Sequence, residues 1–190
     1  MQNAIKFMLM NDHITIPDYS DWTADQITYQ IMDQHHEYVR RKVPAINALL
    51  NKAIKQIAQP LPALTEIRSK FYTLGEELLE HLDEEENEIF PYILQLTSAQ
   101  KLNTEIALPH LINASRPIHR MENDHLNVRQ QMARIRLLCA DFDAPRDAPE
   151  AFVRACIMLK EFEADLQLHI YLEDNILFPS ICKLETELKK

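Results

Sequence analysis

The sequence predicts an all-α fold, an antiparallel up-down-up-down four-helix bundle, and three observations carry that expectation. A single glycine, Gly75, stands among many Leu, Ile, Glu, Gln and Ala in 190 residues, a composition that favours helix and leaves a sheet without turns. Four segments place apolar residues at helical spacing. In the second and fourth of them one motif is written twice, as His81-x-x-x-Glu85-x-Asn87-x-Ile89-Phe90-Pro91 and His169-x-x-x-Glu173-x-Asn175-x-Leu177-Phe178-Pro179. With 7 Phe and 10 Pro in the chain, Phe-Pro follows a given His at that offset by chance about once in 500 trials, so the repeat implies two related halves.

Residues 1–20 carry Asn11-Asp12, Pro17 and a β-leaning Ile14-Thr15-Ile16 without helical periodicity. They are expected to form an irregular N-terminal arm, with His13 at its surface, ahead of a single bundle domain over 21–190. The first helix is expected to start at Thr23, whose Thr-x-x-Gln with Gln26 reads as a capping box, and to reach about Ala58. Ile27, Ile31, Val39, Val43, Ile46, Leu50 and Ile57 form its stripe. Pro44 inside it predicts a kink or local widening, and Pro60 and Pro62 end it. The second helix spans about Thr65 to Leu96, with Pro91 bending or closing its last turns, and on its stripe His81 and Glu85 replace hydrophobes.

A loop with Pro109 leads to the third helix, from near Ser115 to about Cys139. Its stripe of Ile118, Met121, His125, Val128, Met132, Ile135 and Leu138 puts His125 on the core face and His119 off it. The fourth helix opens from a capping box at Asp147 and Glu150 and runs to about Leu177, carrying Phe162, Leu166, His169, Glu173 and Ile176.

Residues i and i+4 of a helix share a face, so each His-x-x-x-Glu offers an imidazole and a carboxylate pointing the same way. An ionised carboxylate on a buried stripe is costly without a cation, and a metal supplies one. Imidazole with carboxylate suits iron, manganese or zinc rather than calcium or magnesium. His36 and His81 are 45 residues apart and His125 and His169 are 44 apart, so each half offers one His from its first helix and one His-x-x-x-Glu from its second. His35 and His36 compete for the first role: the apolar stripe favours His35, the repeat offset favours His36, and spacing leaves the choice open. Glu37, Glu122 and Asp124 are candidates to accept ring N–H groups. Glu84, Glu86 and Glu88 read as a solvated acidic face, and Ile89-Phe90 and Leu177-Phe178 as core packing.

Composition excludes several function classes. Lys plus Arg number 20 against 29 Asp plus Glu, and a net charge of -9 argues against nucleic acid as a partner. Phosphate loops, dinucleotide fingerprints and nucleophile elbows need glycines that one Gly75 cannot supply. Cys139, Cys156 and Cys182, widely spaced and without a CxxC pair, read as reduced thiols. Phe7 to Met10 is too short for a signal-peptide core, and no apolar run reaches membrane length, so a soluble cytoplasmic protein without membrane contact is the expectation. A leftover apolar stripe would support a homodimer.

Four stretches together resemble a known family. They are His35-His36-Glu37-Tyr38-Val39-Arg40 before Val43-Pro44, His81-x-x-x-Glu85 before Ile89-Phe90-Pro91, Met121-Glu122-Asn123-Asp124-His125, and His169 through Phe178-Pro179. Over roughly residues 21–180 they are similar to the hemerythrin-like (HHE) domain of the repair of iron centres family, non-haem di-iron proteins that restore damaged iron-sulfur clusters after nitrosative or oxidative stress. The resemblance implies a hemerythrin-like bundle with metal ligands His36, His81, Glu85, His125, His169 and Glu173, where His36 is chosen by its distance from Pro44 and both Glu residues bridge. His35, Glu122 and Asp124 stand around them. It implies two iron ions with an oxo or hydroxo bridge, zinc or manganese being the alternatives, and about one open position per metal. It further implies O2 or NO as small ligands, damaged iron-sulfur proteins as partners, and action by iron donation or NO chemistry; reversible O2 or NO binding without turnover is the alternative. The family's usual N-terminal Cys-Cys pair has no counterpart in residues 1–20, and a further His often found after the first helix is replaced by the Ala58 to Pro62 region.

Overall fold

The computed structural model describes residues 18–57, 62–104 and 115–188; residues 1–17 of the arm expected over 1–20, with His13, the stretch with Pro60 and the loop with Pro109 lie outside the described residues. Every regular element among the described residues is helical, and they join into four rods. Rod α1 (24–56) is Ala24–Gln30, a wide turn Ile31–His36, and Glu37–Gln56. Rod α2 (62–102) is Pro62–Glu84, a wide turn Glu85–Ile89, and Phe90–Leu102. Rod α3 is Ser115–Leu138, and α4 (150–188) is Glu150–Leu172, a wide turn Glu173–Leu177, and Phe178–Leu188.

Side-chain ties between rods show the antiparallel order. Along α1 and α2, Arg40 meets Asp83 whereas Asn51 meets Arg68. Along α2 and α3, Glu66 meets Arg134 and Glu84 meets Arg120. Along α1 and α4, His35 meets Asp165 and Lys42 meets Glu161. The fold is the expected four-helix bundle.

The helix ends follow local chemistry, with differences from the sequence expectation. Thr23 caps α1, its N–H donating to Gln26 Oε1 at 2.9 Å. Pro62 opens α2 rather than closing α1, because its missing N–H is one the first turn would leave unpaired. The Asp147 box does not form. Pro149 is the N-cap of α4, and its carbonyl accepts from Phe152 N at 2.8 Å and Val153 N at 3.1 Å. Pro44 lies within the regular helix Glu37–Gln56, and the widening expected there occurs upstream at Ile31–His36. Pro44 is exposed, so the carbonyl it displaces can tilt into water.

The wide turns are π-helical, with N–H groups reaching five residues back: Glu37 to Met32, Phe90 to Glu85, Phe178 to Glu173. In a regular α-helix the rings of Pro91 and Pro179 would strike the carbonyls of Asn87 and Asn175, and a wider turn relieves that clash. Helix therefore continues past both prolines, to Leu102 and Leu188, beyond the expected ends near Leu96 and Leu177.

The core is in two apolar clusters. One is built on Val39, Val43, Leu50, Phe71, Leu74, Phe152 and Phe162, the other on Ile27, Ile31, Ile93, Leu96, Met121 and Ile181. Between them, in every rod, lies a layer of buried His and Glu.

Gly75 marks a close approach of α1 to α2, where an added Cβ would stand 2.6 Å from Val43 Cγ1. Val43 is buried and β-branched, so it cannot rotate away. Gly75→Ala is expected to lose about 1–2 kcal/mol in denaturant unfolding, overpacking exceeding the helix-propensity gain. Combined with Val43→Ala the loss should fall short of the sum of the single losses; strict additivity would contradict the contact.

Candidate metal centre

Six polar side chains converge in the layer between the clusters. His36 comes from α1, His81 and Glu85 from α2, His125 from α3, His169 and Glu173 from α4, and all six are buried. Their ligand atoms fall into two sets, His36, Glu85, His169, Glu173 and His81, Glu85, His125, Glu173, each with atoms within 4.8 Å of one another. Both carboxylates belong to both sets. Glu85 turns Oε2 to His36 Nε2 at 3.5 Å and Oε1 to His81 Nε2 at 3.2 Å. Glu173 turns Oε1 to His169 Nε2 and Oε2 to His125 Nε2, each at 3.1 Å. Each carboxylate thus presents one oxygen to each set, the disposition of a bridge.

The donors fit a cation better than they fit one another. Glu85 and Glu173 are 0 % exposed, and among the described residues none of their four oxygens has a hydrogen bond of good geometry; the same is true of His36 Nε2 and both nitrogens of His169. His81 Nε2 faces His125 Nε2 at 3.1 Å. Such an arrangement needs positive charge among the lone pairs. Other buried acids are satisfied in ordinary ways: Glu163 accepts from Arg136 Nε at 2.8 Å, and Glu185 from the Tyr92 hydroxyl. The contrast singles out the central pair.

The structure distinguishes His35 from His36, although both are buried. Adjacent helical residues point about 100° apart, and α1 lies between α2 and α4. His36 therefore faces Glu85, whereas His35 faces α4, pairing with Asp165 Oδ1 at 2.9 Å and stacking on the His169 ring at 5.6 Å.

The ring-orienting acids are mostly not those expected. His36 Nδ1 pairs with Glu86 Oε1 and His125 Nδ1 with Asp174 Oδ1, both at 2.7 Å. Glu86, expected on a solvated face, is instead turned inward with Arg40 at 3.1 Å, as Asp174 is held by Arg129 at 2.8 Å. Each is the residue immediately after one of the two central Glu residues, and each Arg lies four residues after its His. That duplicated spacing was visible in the sequence and is the signal that finds them. Glu122 pairs with the exposed His119 instead, and Asp124 stays 3.9 Å from His81 Nδ1.

The repeated motif now has a physical reading at each position. Phe90 stacks on His36 at 5.3 Å and Phe178 on His125 at 6.1 Å, so these core residues also pack the central imidazole rings. Asn87 and Asn175 donate to the carbonyls of Asp83 and Tyr171 at 2.6 and 3.1 Å, tying the chain across the wide turns that begin at Glu85 and Glu173.

Burial pushes His36, His81 and His125 toward the neutral form. Neighbouring carboxylates outweigh it, Glu85 at the first two and Asp174 with Glu173 at the third, so all three stand above the ordinary value and His125 is pushed up to about 10. At His169 burial wins and the value falls. Burial, joined at Glu85 by the charge of Glu173, opposes ionisation of the carboxylates, yet the histidines hold both below the usual range. In metal-free protein the raised histidines contribute stability that is full below about pH 6.5 and lost as pH rises through their folded values. The depressed carboxylates contribute stability present above about pH 4.3 and lost as pH falls through theirs. The thermal midpoint of metal-free protein is therefore expected to be higher at about pH 6 than at about pH 9, and a divalent metal to remove the alkaline loss by replacing the protons. Equal metal-free midpoints at both values would contradict this electrostatic account.

Comparison with known proteins agrees with this geometry. The iron-sulfur cluster repair protein DnrN of Neisseria gonorrhoeae is 29 % identical over 167 residues, which are 86 % of this chain and 97 % of that protein. The iron-sulfur cluster repair protein YtfE of Yersinia pseudotuberculosis is 26 % identical over 162 residues, 84 % of this chain and 67 % of that protein, and its namesake in Yersinia pestis matches to the same extent. Residues 27–181 match the hemerythrin HHE cation binding domain, a span that contains all six central side chains. The chain belongs to the hemerythrin HHE family of cation-binding proteins.

Proposed function

We propose that this chain is a non-haem di-iron protein of the iron-sulfur cluster repair type, acting under nitrosative or oxidative stress by iron donation or NO chemistry, with 21–190 as its functional domain. The observation that carries the reading is the pair of fully buried carboxylates, each with one oxygen toward each histidine set. The names of the DnrN and YtfE relatives support repair as the setting and damaged iron-sulfur proteins as the partners. Iron supports the donor set better than calcium or magnesium, which take oxygen alone; zinc and manganese are the competing occupants.

In this reading His36 and His169 would hold one ion and His81 and His125 the other, with Glu85 and Glu173 offering an oxygen to each. Bound iron supplies one-electron redox chemistry and open positions for NO or O2. Glu86 and Asp174 fix the His36 and His125 rings so that Nε2 faces the centre, and Arg40 and Arg129 hold those acids in place. Phe90 and Phe178 pack the ring faces and keep water off them.

Elemental analysis of protein purified from iron-replete cells is expected to give two iron ions per chain, with near-ultraviolet charge-transfer absorption. Glu85→Ala or Glu173→Ala should remove the pair. Full iron retention in both variants, or zinc with a featureless spectrum in the wild type, would sink the di-iron assignment. Glu86→Gln and Asp174→Asn should keep the fold and weaken metal affinity about 10- to 100-fold in competition titrations. Unchanged affinity would show that the ring bonds are incidental.

A further inference from the structure

Cys139, Cys156 and Cys182 are free, and the first two are buried at one end of the bundle. Cys139 follows the last residue of α3, with its N–H still donating to Ile135 O at 3.0 Å, and Cys156 lies in the second turn of α4. Across these antiparallel rods Arg136 Nε donates to Glu163 Oε2 at 2.8 Å, which marks the faces that meet. Cys139 stands three residues beyond Arg136 and Cys156 seven before Glu163, helical offsets that keep both on those faces. The two thiols accordingly share a hydrogen bond, inside the apolar cluster of Phe152 and Phe162.

The connection between the rods covers this pair. Ala140, Asp141 and Phe142 take the left-handed backbone in succession, with φ of 48°, 59° and 64°. Residues with a Cβ visit that region singly, so a run of three is a cover that opens at less cost than a helix. Phe142 is turned into the same cluster beneath the Arg136 guanidinium, 5.6 Å from the ring centre, and Asp143 is near enough for its charge to act on Cys156. The bond from Cys139 holds the Cys156 thiol below its ordinary value, while the same bond and burial push Cys139 up. Cys156 is thus the readier nucleophile and Cys139 the thiol that resolves.

We propose that Cys139 and Cys156 form a reversible dithiol/disulfide site, oxidised by a hydroperoxide, whose closure staples α3 to α4. The Cys156 sulfur attacks one peroxide oxygen, the O–O bond breaks, and the departing oxygen takes the thiol proton and leaves as water or an alcohol. Cys139 then displaces the hydroxyl of the Cys156 sulfenic acid, and that hydroxyl leaves as water with the Cys139 proton. The thiols give up two electrons and two protons to one hydroperoxide, and a thiol reductant reverses the bond by exchange. The bond closes a loop of 16 intervening residues, which restricts the unfolded chain and raises stability. Cys139 is 14 residues from His125 and Cys156 is 13 from His169, about 20 Å along each rod, so the site is separate from the central histidines and independent of the di-iron reading.

The test treats the reduced full chain with hydrogen peroxide in the presence of a metal chelator. Cys182→Ser is expected to lose both remaining thiols, with the Cys139 and Cys156 peptides joined in a nonreducing digest, and dithiothreitol should restore them. The urea midpoint should rise on oxidation and return on reduction. Cys139→Ala should leave Cys156 as a sulfenic acid that dimedone captures, whereas Cys156→Ala should leave Cys139 reduced. The digest of the wild-type chain decides the matter even where an alanine variant fails to fold. Cys139 and Cys156 both remaining free at a peroxide excess that oxidises Cys182, or a disulfide that leaves the midpoint unchanged, overturns the proposal.

Discussion

Two ionised carboxylates in the middle of a dry bundle are the constraint on which this structure depends. Glu85 and Glu173 are fully buried and near enough to raise each other's cost of ionisation. Removing a carboxylate from water costs several kcal/mol even after the protein relaxes. Around them the molecule assembles four imidazoles and behind those Glu86, Asp174, Arg40 and Arg129, so that alternating charge extends from the axis to the surface. The apolar core pays for this by division: one cluster lies on each side of the polar layer, and the helices must stay continuous through it to keep both in register.

Continuity is achieved by the three wide turns. A π-helical turn is rare and less favourable than an α-helical one, and it persists where function holds it. Here each turn abuts the polar layer, ending at His36 or beginning at Glu85 and Glu173. The Phe-Pro pairs and the asparagines are the local devices that make such turns tolerable: the proline ring disfavours the narrower turn, and the amide occupies a backbone carbonyl. A proline usually read as a helix terminator and an asparagine usually read as a solvated residue therefore serve the geometry of the central histidines and glutamates.

Duplication explains the equivalence of the two ligand sets but not the difference between their environments. An approximate two-fold relation exchanges His36 with His125, His81 with His169 and Glu85 with Glu173, and the orienting acids, arginines and stacked phenylalanines follow it. The relation breaks in the residue before His36 and before His125, His35 against Asp124, and in the acids along α2.

Helical spacing and the duplicated motif determined the all-α bundle, its four segments and five of the six central residues, because periodicity of side chains is a local property of one helix. The sixth illustrates the limit. His35 and His36 are both buried, and only the placement of α1 between α2 and α4 turns one toward the carboxylates and the other onto His169. The orienting pair of Glu86 and Asp174 was present as a spacing but unreadable as a role, since an acid beside a ligand is inward or outward according to which neighbouring helix offers a ring and an arginine. The wide turns were equally hidden, because a proline signals a lost hydrogen bond without saying whether the helix stops, bends into water as at Pro44, or widens as before Pro91 and Pro179. By itself the sequence determined which residues could share a face; which faces meet was decided only by packing, because burial and electrostatic partnership are properties of neighbouring helices and not of the chain.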